Sequence, residues 1–275
     1  MDKQTLIAIG REAIDISFRG HYTSENGIHV NIGKEVMESI RESKLYSPKA
    51  TSILDNEMEI VEEPFETSIE VTAETTLEAC QRLVLDGHNV ACLNFASAKF
   101  PGGGFLNGAR AQEESLARSS ALYPTIAQMK DMYDYNRKKW GFYSDYMVYS
   151  PDVPVFRKDS GELIDTPYFV SMITSPAVNA GIVMKSDPSQ RNAITTKMRM
   201  RIRKILAVAR ENGEQVLVLG AYGCGVFGNS PEEVARLFKE ALEDTRYKGA
   251  FEKIVFAIYE PAHVKNRPAF DKTFQ

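Results

Sequence analysis

NVACLNFASAKFPGGGFLNGARAQEE, residues 89–114, begins as a short continuous apolar run, crosses a glycine cluster and ends on three polar residues that open a helical pattern. An apolar run of that length bounded by turn signals suits a strand covered on both faces, as in a parallel sheet between helical layers. The flanking segments repeat the rhythm. Upstream, SIEV at 68–71 reads as a strand, and Thr75 with Glu78 forms a capping box that opens the helix TLEACQRLVLDG. Downstream, a helix is expected from about Gln112 to Met129, and PYFVSMIT at 167–174 as another buried strand. Asp187, Pro188 and Gln190 start a helix over 188–211, and QVLVLG is a strand again. Ser230, Pro231 and Glu233 start the helix PEEVARLFKEALEDT, and KIVFAIY closes the series as a strand. Strands alternating with helices of ten or more residues imply βαβ crossovers and a mainly parallel sheet sandwiched between helices, an α/β fold. Outside this rhythm, residues 1–17 read as a helix and Asn26-Gly27 as a hairpin turn. The stretch 40–66 is polar and weakly patterned. The stretch 131–157, crowded with aromatics and prolines, reads as an ordered insertion without a regular element.

Composition narrows the classes. The 275 residues are 43% hydrophobic, enough to bury a large core, and the formal net charge is -4, so no global positive field holds a nucleic-acid backbone. Cys80, Cys92 and Cys224 are odd in number and lack paired spacing, which argues against a disulfide framework or a cysteine-rich zinc site and fits a reducing compartment. The N-terminus carries charges inside its apolar stretch and no cleavage signal, and no apolar run approaches the ~20 residues that span a bilayer. The expected protein is soluble and cytoplasmic, without a membrane partner or direct nucleic-acid binding.

Two strands run into glycine-rich loops: the one quoted above, and GAYGCGVFGNS at 220–230. In open α/β sheets ligands bind beyond the carboxyl ends of strands, where loop N–H groups and helix N-termini face an anion, so two such loops side by side enclose a diphosphate. Either loop alone is as well explained as a tight turn requiring positive φ. Neither carries the Lys-Ser/Thr of a P-loop, and GCGVFG lacks the early position and downstream acid of a dinucleotide fingerprint, which points away from triphosphatases and redox cofactors. Glu113 and Glu114 are adjacent on a helix and project about 100° apart, so they cannot straddle a bond as an opposed glycosidase pair; one must work alone. Acidic residues also favour a helix N-terminus for electrostatic reasons. His21, His29, His88 and His263 have no metal-ligand spacing, and KMRMRIRK at 197–204 spreads round several helix faces and reads as solvated surface.

Gly102-Gly103-Gly104, seven residues, then Gln112-Glu113-Glu114 resembles the GGG-x(6–8)-QEE signature of poly(ADP-ribose) glycohydrolases, and the surrounding string resembles their bacterial branch. The resemblance covers about residues 65–260. It implies a macrodomain-like catalytic domain at 65–275 with a mostly helical accessory segment, 1–64, packed on it. It further implies Glu114 as the acid and then base, Glu113 holding ribose hydroxyls, and poly(ADP-ribose), ADP-ribose and ADP-ribosylated proteins as partners; with no motif for either, no cofactor and no metal are expected, and a monomer is expected. Substrate contacts would come from Asn94, Ala96, Ser97, Gly102, Gly103, Gly104, Phe105 and Gln112, and from Gly223, Cys224, Gly225, Val226, Phe227 and Gly228, with Phe227 against the distal ribose. Without the family, Phe105 and Phe227 read as plugs beneath their loops, and Cys224 as a small packing residue. The Asn-Ala-Ala-Asn stretch of simpler macrodomains appears here as Asn94-Phe95-Ala96-Ser97, which argues against a mono-ADP-ribose eraser. Two alternatives stay open: a module that binds ADP-ribose without cutting, and a hydrolase of mono-ADP-ribosylated protein or nucleic acid.

Overall fold

The computed structural model describes residues 1–260 and 265–275. The N-terminal part comprises α1 (Lys3–Arg19), β1 (His21–Thr23), β2 (His29–Asn31), α2 (Gly33–Glu42), β3 (Lys44–Tyr46) and α3 (Pro48–Glu57). β4 (Ser68–Thr72), α4 (Thr76–Leu85), β5 (Val90–Phe95), α5 (Gln112–Ser119), α6 (Leu122–Ala127) and α7 (Lys130–Arg137) follow. The second half holds β6 (Met147–Arg157), β7 (Leu163–Ser175), α8 (Ala180–Ser186), α9 (Arg191–Glu211), β8 (Val216–Leu219), α10 (Pro231–Glu243), β9 (Lys253–Ala257) and α11 (Arg267–Phe274).

Seven strands form one sheet in the order β3-β6-β7-β5-β8-β9-β4. β7, β5, β8, β9 and β4 are parallel, and β6 and β3 add an antiparallel edge. The apolar runs are explained by two cores. Ala91, Leu93, Leu217, Leu219, Ile254 and Phe256 point into a core shared with α9 and α10. Their alternates Val90, Cys92, Val216, Val218, Val255 and Ala257 point into a second core with α1, α4, α5 and α6. With both faces covered, a period of two is invisible in hydrophobicity, and every position reads as apolar.

The expected capping box is complete: Thr75 Oγ1 accepts from Glu78 N at 3.1 Å and Glu78 Oε2 from Thr75 N at 2.8 Å. Three expectations are corrected. The helix from Gln112 stops at Ser119, because Ser120 adopts extended backbone, bridges to Val155, and is followed by Ala121 N–H donating to Pro154 O at 3.0 Å. The insertion 131–157 contains most of α7 and the eleven-residue β6. Pro151 and Pro154 fit in β6 because β3 pairs only with Met147–Tyr149, so beyond that point this edge carries only the isolated Ser120 bridge, in which Pro154 serves as an acceptor, and the register shifts between Ser150 and Val153. The polar stretch 40–66 holds β3 and α3, so the N-terminal segment contributes a strand to the main sheet.

Candidate active site

β5 ends at Phe95, and α5 is fastened across that end by Gln112. Its Oε1 accepts from Phe95 N at 2.8 Å, and its Nε2 donates to Leu93 O at 2.7 Å and to Thr76 Oγ1 at 3.2 Å. Gln112 thus ties helix to strand through both ends of its amide. The first turn of α5 has no side-chain cap. It places Glu113 and Glu114 inward, 2% and 9% exposed, against the glycine loop.

Glu113 Oε2 accepts from Ser97 N at 2.6 Å, and its Oε1 from Asn94 Nδ2 at 3.3 Å. Asn94 is fully buried behind it and also donates to Thr174 Oγ1 at 3.1 Å, so its amide group holds Glu113 from the strand side. Glu114 Oε1 accepts from Gly104 N at 2.8 Å. Gly103 explains the glycine run: φ is +59°, and a Cβ there would lie 2.3 Å from Glu114 Oε1 and 3.1 Å from Glu113 Oε2. Both carboxyls therefore rest against one Cα that admits no side chain. Burial pushes the Glu113 carboxyl up to about 8 despite the lowering effect of the Ser97 N–H, and the charge of Glu114 adds to the rise.

The second loop follows β8. Gly223 packs on Ala177, and Asn229 Nδ2 donates to Gly223 O at 3.0 Å and to Val178 O at 2.8 Å. Phe227 O accepts from Gly181 N in α8 at 3.0 Å. The N–H groups of Gly225, Val226 and Phe227 meet no protein acceptor among the described residues. Val226 is 88% exposed. Burial pushes the Cys224 thiol up to about 12, with the Glu232 charge adding to it, so it stays protonated and is no nucleophile. The ring of Tyr143, at φ +50°, a strained value for an aromatic residue, stands 6.0 Å from that of Phe227.

Phe105 is 1% exposed, its ring 5.2 Å from that of Tyr123 and beneath Gly102, so it fills the space under the loop. Ala96, also 1% exposed, gives its N–H to Ser175 O. His21 and His29 face each other across the β1/β2 hairpin at 5.1 Å, and His88 lies near Glu252; His263 falls outside the described residues. The basic run on α9 is not all solvated surface: Arg201 and Lys204 are buried on Asp145, at 2.9 and 2.8 Å, joined by Lys197 at 3.1 Å. Arg201 also donates to Pro176 O and Phe142 O. Asp145, in a run of aromatics, carries no local signal for this role, because its partners lie more than fifty residues away.

A family model described as "Microbial-type PARG, catalytic domain" matches residues 10–158. Poly(ADP-ribose) glycohydrolase from Thermomonospora curvata is 43% identical over 98% of this chain and 100% of its own, with a TM-score of 0.93. A structure from the same organism bound to the inhibitor ADP-HPD is 42% identical over the same shares, with a TM-score of 0.90. The Deinococcus radiodurans enzyme in complex with ADP-ribose is 42% identical over 87% of this chain and 96% of its own, with a TM-score of 0.81. No curated protein matches. A signature whose glycines and glutamates interlock, on a sheet that superposes along nearly its whole length, assigns the chain to the microbial-type poly(ADP-ribose) glycohydrolase (PARG) family.

Proposed function

We propose that the protein hydrolyses the ribose–ribose O-glycosidic bond of poly(ADP-ribose), trimming from the chain end and releasing ADP-ribose. The observation that carries this reading is the seating of Glu113 and Glu114 against Gly103, with no room for a side chain between loop and carboxyls. Glu114 gives a proton to the ribose oxygen as the bond to the anomeric carbon breaks. Water then attacks that carbon, and its proton returns to Glu114. Glu113, anchored by Ser97 N–H and Asn94, holds ribose hydroxyls, and burial raises its own carboxyl. The unpaired N–H groups of Gly225, Val226 and Phe227 take the diphosphate together with the first loop, fixing the bond beside Glu114. Phe227 supports the distal ribose. ADP-ribosylated proteins are the natural carriers of such polymer, and the protein acts as a monomer. Its setting is the cytoplasm and the response to DNA damage, on the reduced-thiol reading of its cysteines and on the family resemblance.

Incubating the protein with labelled poly(ADP-ribose) and separating products by length tests this. ADP-ribose accumulates while long chains persist; Glu114→Gln releases none yet binds ADP-ribose within about threefold of the native protein. Full activity in that variant would sink the mechanism. Binding without product would favour the non-cutting module.

A further inference from the structure

The reaction above leaves unused a group of side chains beside the two glycine loops. Phe100 lies in the first loop, its carbonyl accepting from Gly103 N at 3.0 Å and its N–H donating to Ser97 Oγ at 3.3 Å, so its backbone is tied to the glycine that touches both glutamates. Its ring is nevertheless 59% exposed. The guanidinium of Arg137, at the end of α7 and also paired with Asp134, stands 5.9 Å from the centre of that ring. Trp140, three residues on, is 53% exposed. Lys138 and Lys139 are exposed between them, and Lys99 is half-buried next to Phe100. The same segment then reaches the second loop: Gly141 O accepts from Asn179 N at 2.8 Å, and Tyr143 faces Phe227.

This rim therefore bridges the two loops. A phenylalanine and a tryptophan with more than half their surface in water contribute little to the core. Arg-Lys-Lys at 137–139 is a local concentration of positive charge on a chain of net charge -4. Open aromatic faces interleaved with cations are how proteins hold single-stranded polyphosphate chains carrying bases, the bases stacking and the phosphates pairing. A polymer of ADP-ribose has both groups in every unit.

We propose that Lys99, Phe100, Arg137, Lys138, Lys139 and Trp140 form a second binding site for the penultimate ADP-ribose unit, on the leaving side of the bond at Glu114. The inference rests on the reading of the site as a poly(ADP-ribose) glycohydrolase. With the terminal unit in the cleft, the rest of the chain begins at the oxygen that Glu114 protonates. Phe100, in the loop seated on that glutamate, offers such a chain an open aromatic surface.

The test compares the affinity of Glu114→Gln protein for a short ADP-ribose oligomer and for ADP-ribose itself. Two sets of changes are added in turn, Phe100→Ala with Trp140→Ala, and Arg137→Ala, Lys138→Ala and Lys139→Ala together. Each set is expected to weaken oligomer binding about tenfold while ADP-ribose affinity moves by less than about twofold. The cationic set should also flatten the slope of log affinity against log salt by about 2. Unchanged oligomer affinity in both sets would overturn the proposal. So would a parallel loss for ADP-ribose, which would make the rim part of the first site. Failure of the cleavage reading shows separately, as no ADP-ribose released from polymer by the native protein, while the affinities still judge the rim.

Discussion

At Glu113 opposing effects meet, and their magnitudes decide the outcome. Hydrogen bonds from Ser97 N–H, Asn94 and Gly102 N–H favour its charged form, yet burial outweighs them and the carboxyl rises from 4.5 to about 8. A buried acid raised in the folded state binds its proton more tightly than in the unfolded chain. Stability is therefore highest below pH 4.5 on this account and is lost as pH rises through 8. The slope cannot exceed about 1.4 kcal/mol per pH unit from one group. Glu113→Gln removes it, so the difference in unfolding free energy between variant and native protein should grow in the variant's favour from pH 5 to 8 in denaturant titrations. A constant difference across that range would show that Glu113 is ionised throughout. The identity of both glutamates is legible from the string Gly102 to Glu114, but the proton on Glu113 is not, since it depends on burial produced by Asn94, Ser97 and the covering loop.

At the scale of elements, α1 braces the catalytic loop. Gly10 lies against Phe105: a Cβ there would be 3.1 Å from Phe105 O and 3.3 Å from its ring. Gly108 packs on Lys3, and Arg157, buried, pairs with Glu12 at 2.6 Å and donates to Ile9 O. Phe105 in turn fills the space under Gly102, beside the glycine that carries both carboxyls. In Gly10→Ala two effects compete. Helix propensity gains about 1 kcal/mol, whereas the new methyl presses on loop backbone that cannot swing away as a side-chain end can. Thermal stability should therefore change little while kcat falls by about tenfold, because small displacements of a positioned acid cost rate steeply. Gly10→Val should be worse, and Phe105→Leu in that background should restore part of kcat. Unaltered kcat in both single variants would remove α1 from any role in placing the loop. The helix itself is legible from residues 1–17. Its partner is not, because Gly10 and Phe105 are ninety-five positions apart and neither is unusual locally.

For the whole molecule, the buried ions join the sheet to the cleft wall. Burial alone would raise the Asp145 carboxyl, but Arg201, Lys204 and Lys197 outweigh it and hold it well below the usual carboxylate range. The sign is the ordinary one for a paired acid: its contribution is present above an unfolded value near 3.8 and lost as pH falls below it. Asp145→Ala leaves Arg201 and Lys204 buried without their anion and should cost about 3–5 kcal/mol of unfolding free energy. Because Arg201 also holds Pro176 and Phe142, the surviving folded protein should bind ADP-ribose less well. A stability loss under about 1 kcal/mol in chemical denaturation would contradict the buried-pair account.

What the sequence determined on its own is whatever rests on local chemistry: doubly covered strands, the Thr75 capping box, the proline and serine helix starts, the Asn26-Gly27 hairpin, and the interlocking glycine and glutamate string. Tertiary structure alone decided the rest. It ended α5 at Ser119 by pairing Ser120 with Val155, made a strand of a proline-containing run by leaving most of one edge without a partner strand, buried Arg201 and Lys204 on Asp145, and packed Phe105, Asn94 and Gln112 around the loop and helix that carry the two glutamates. Each of these outcomes depends on a partner distant in the chain, and burial, which sets both pairing and proton affinity, is a property no single segment carries.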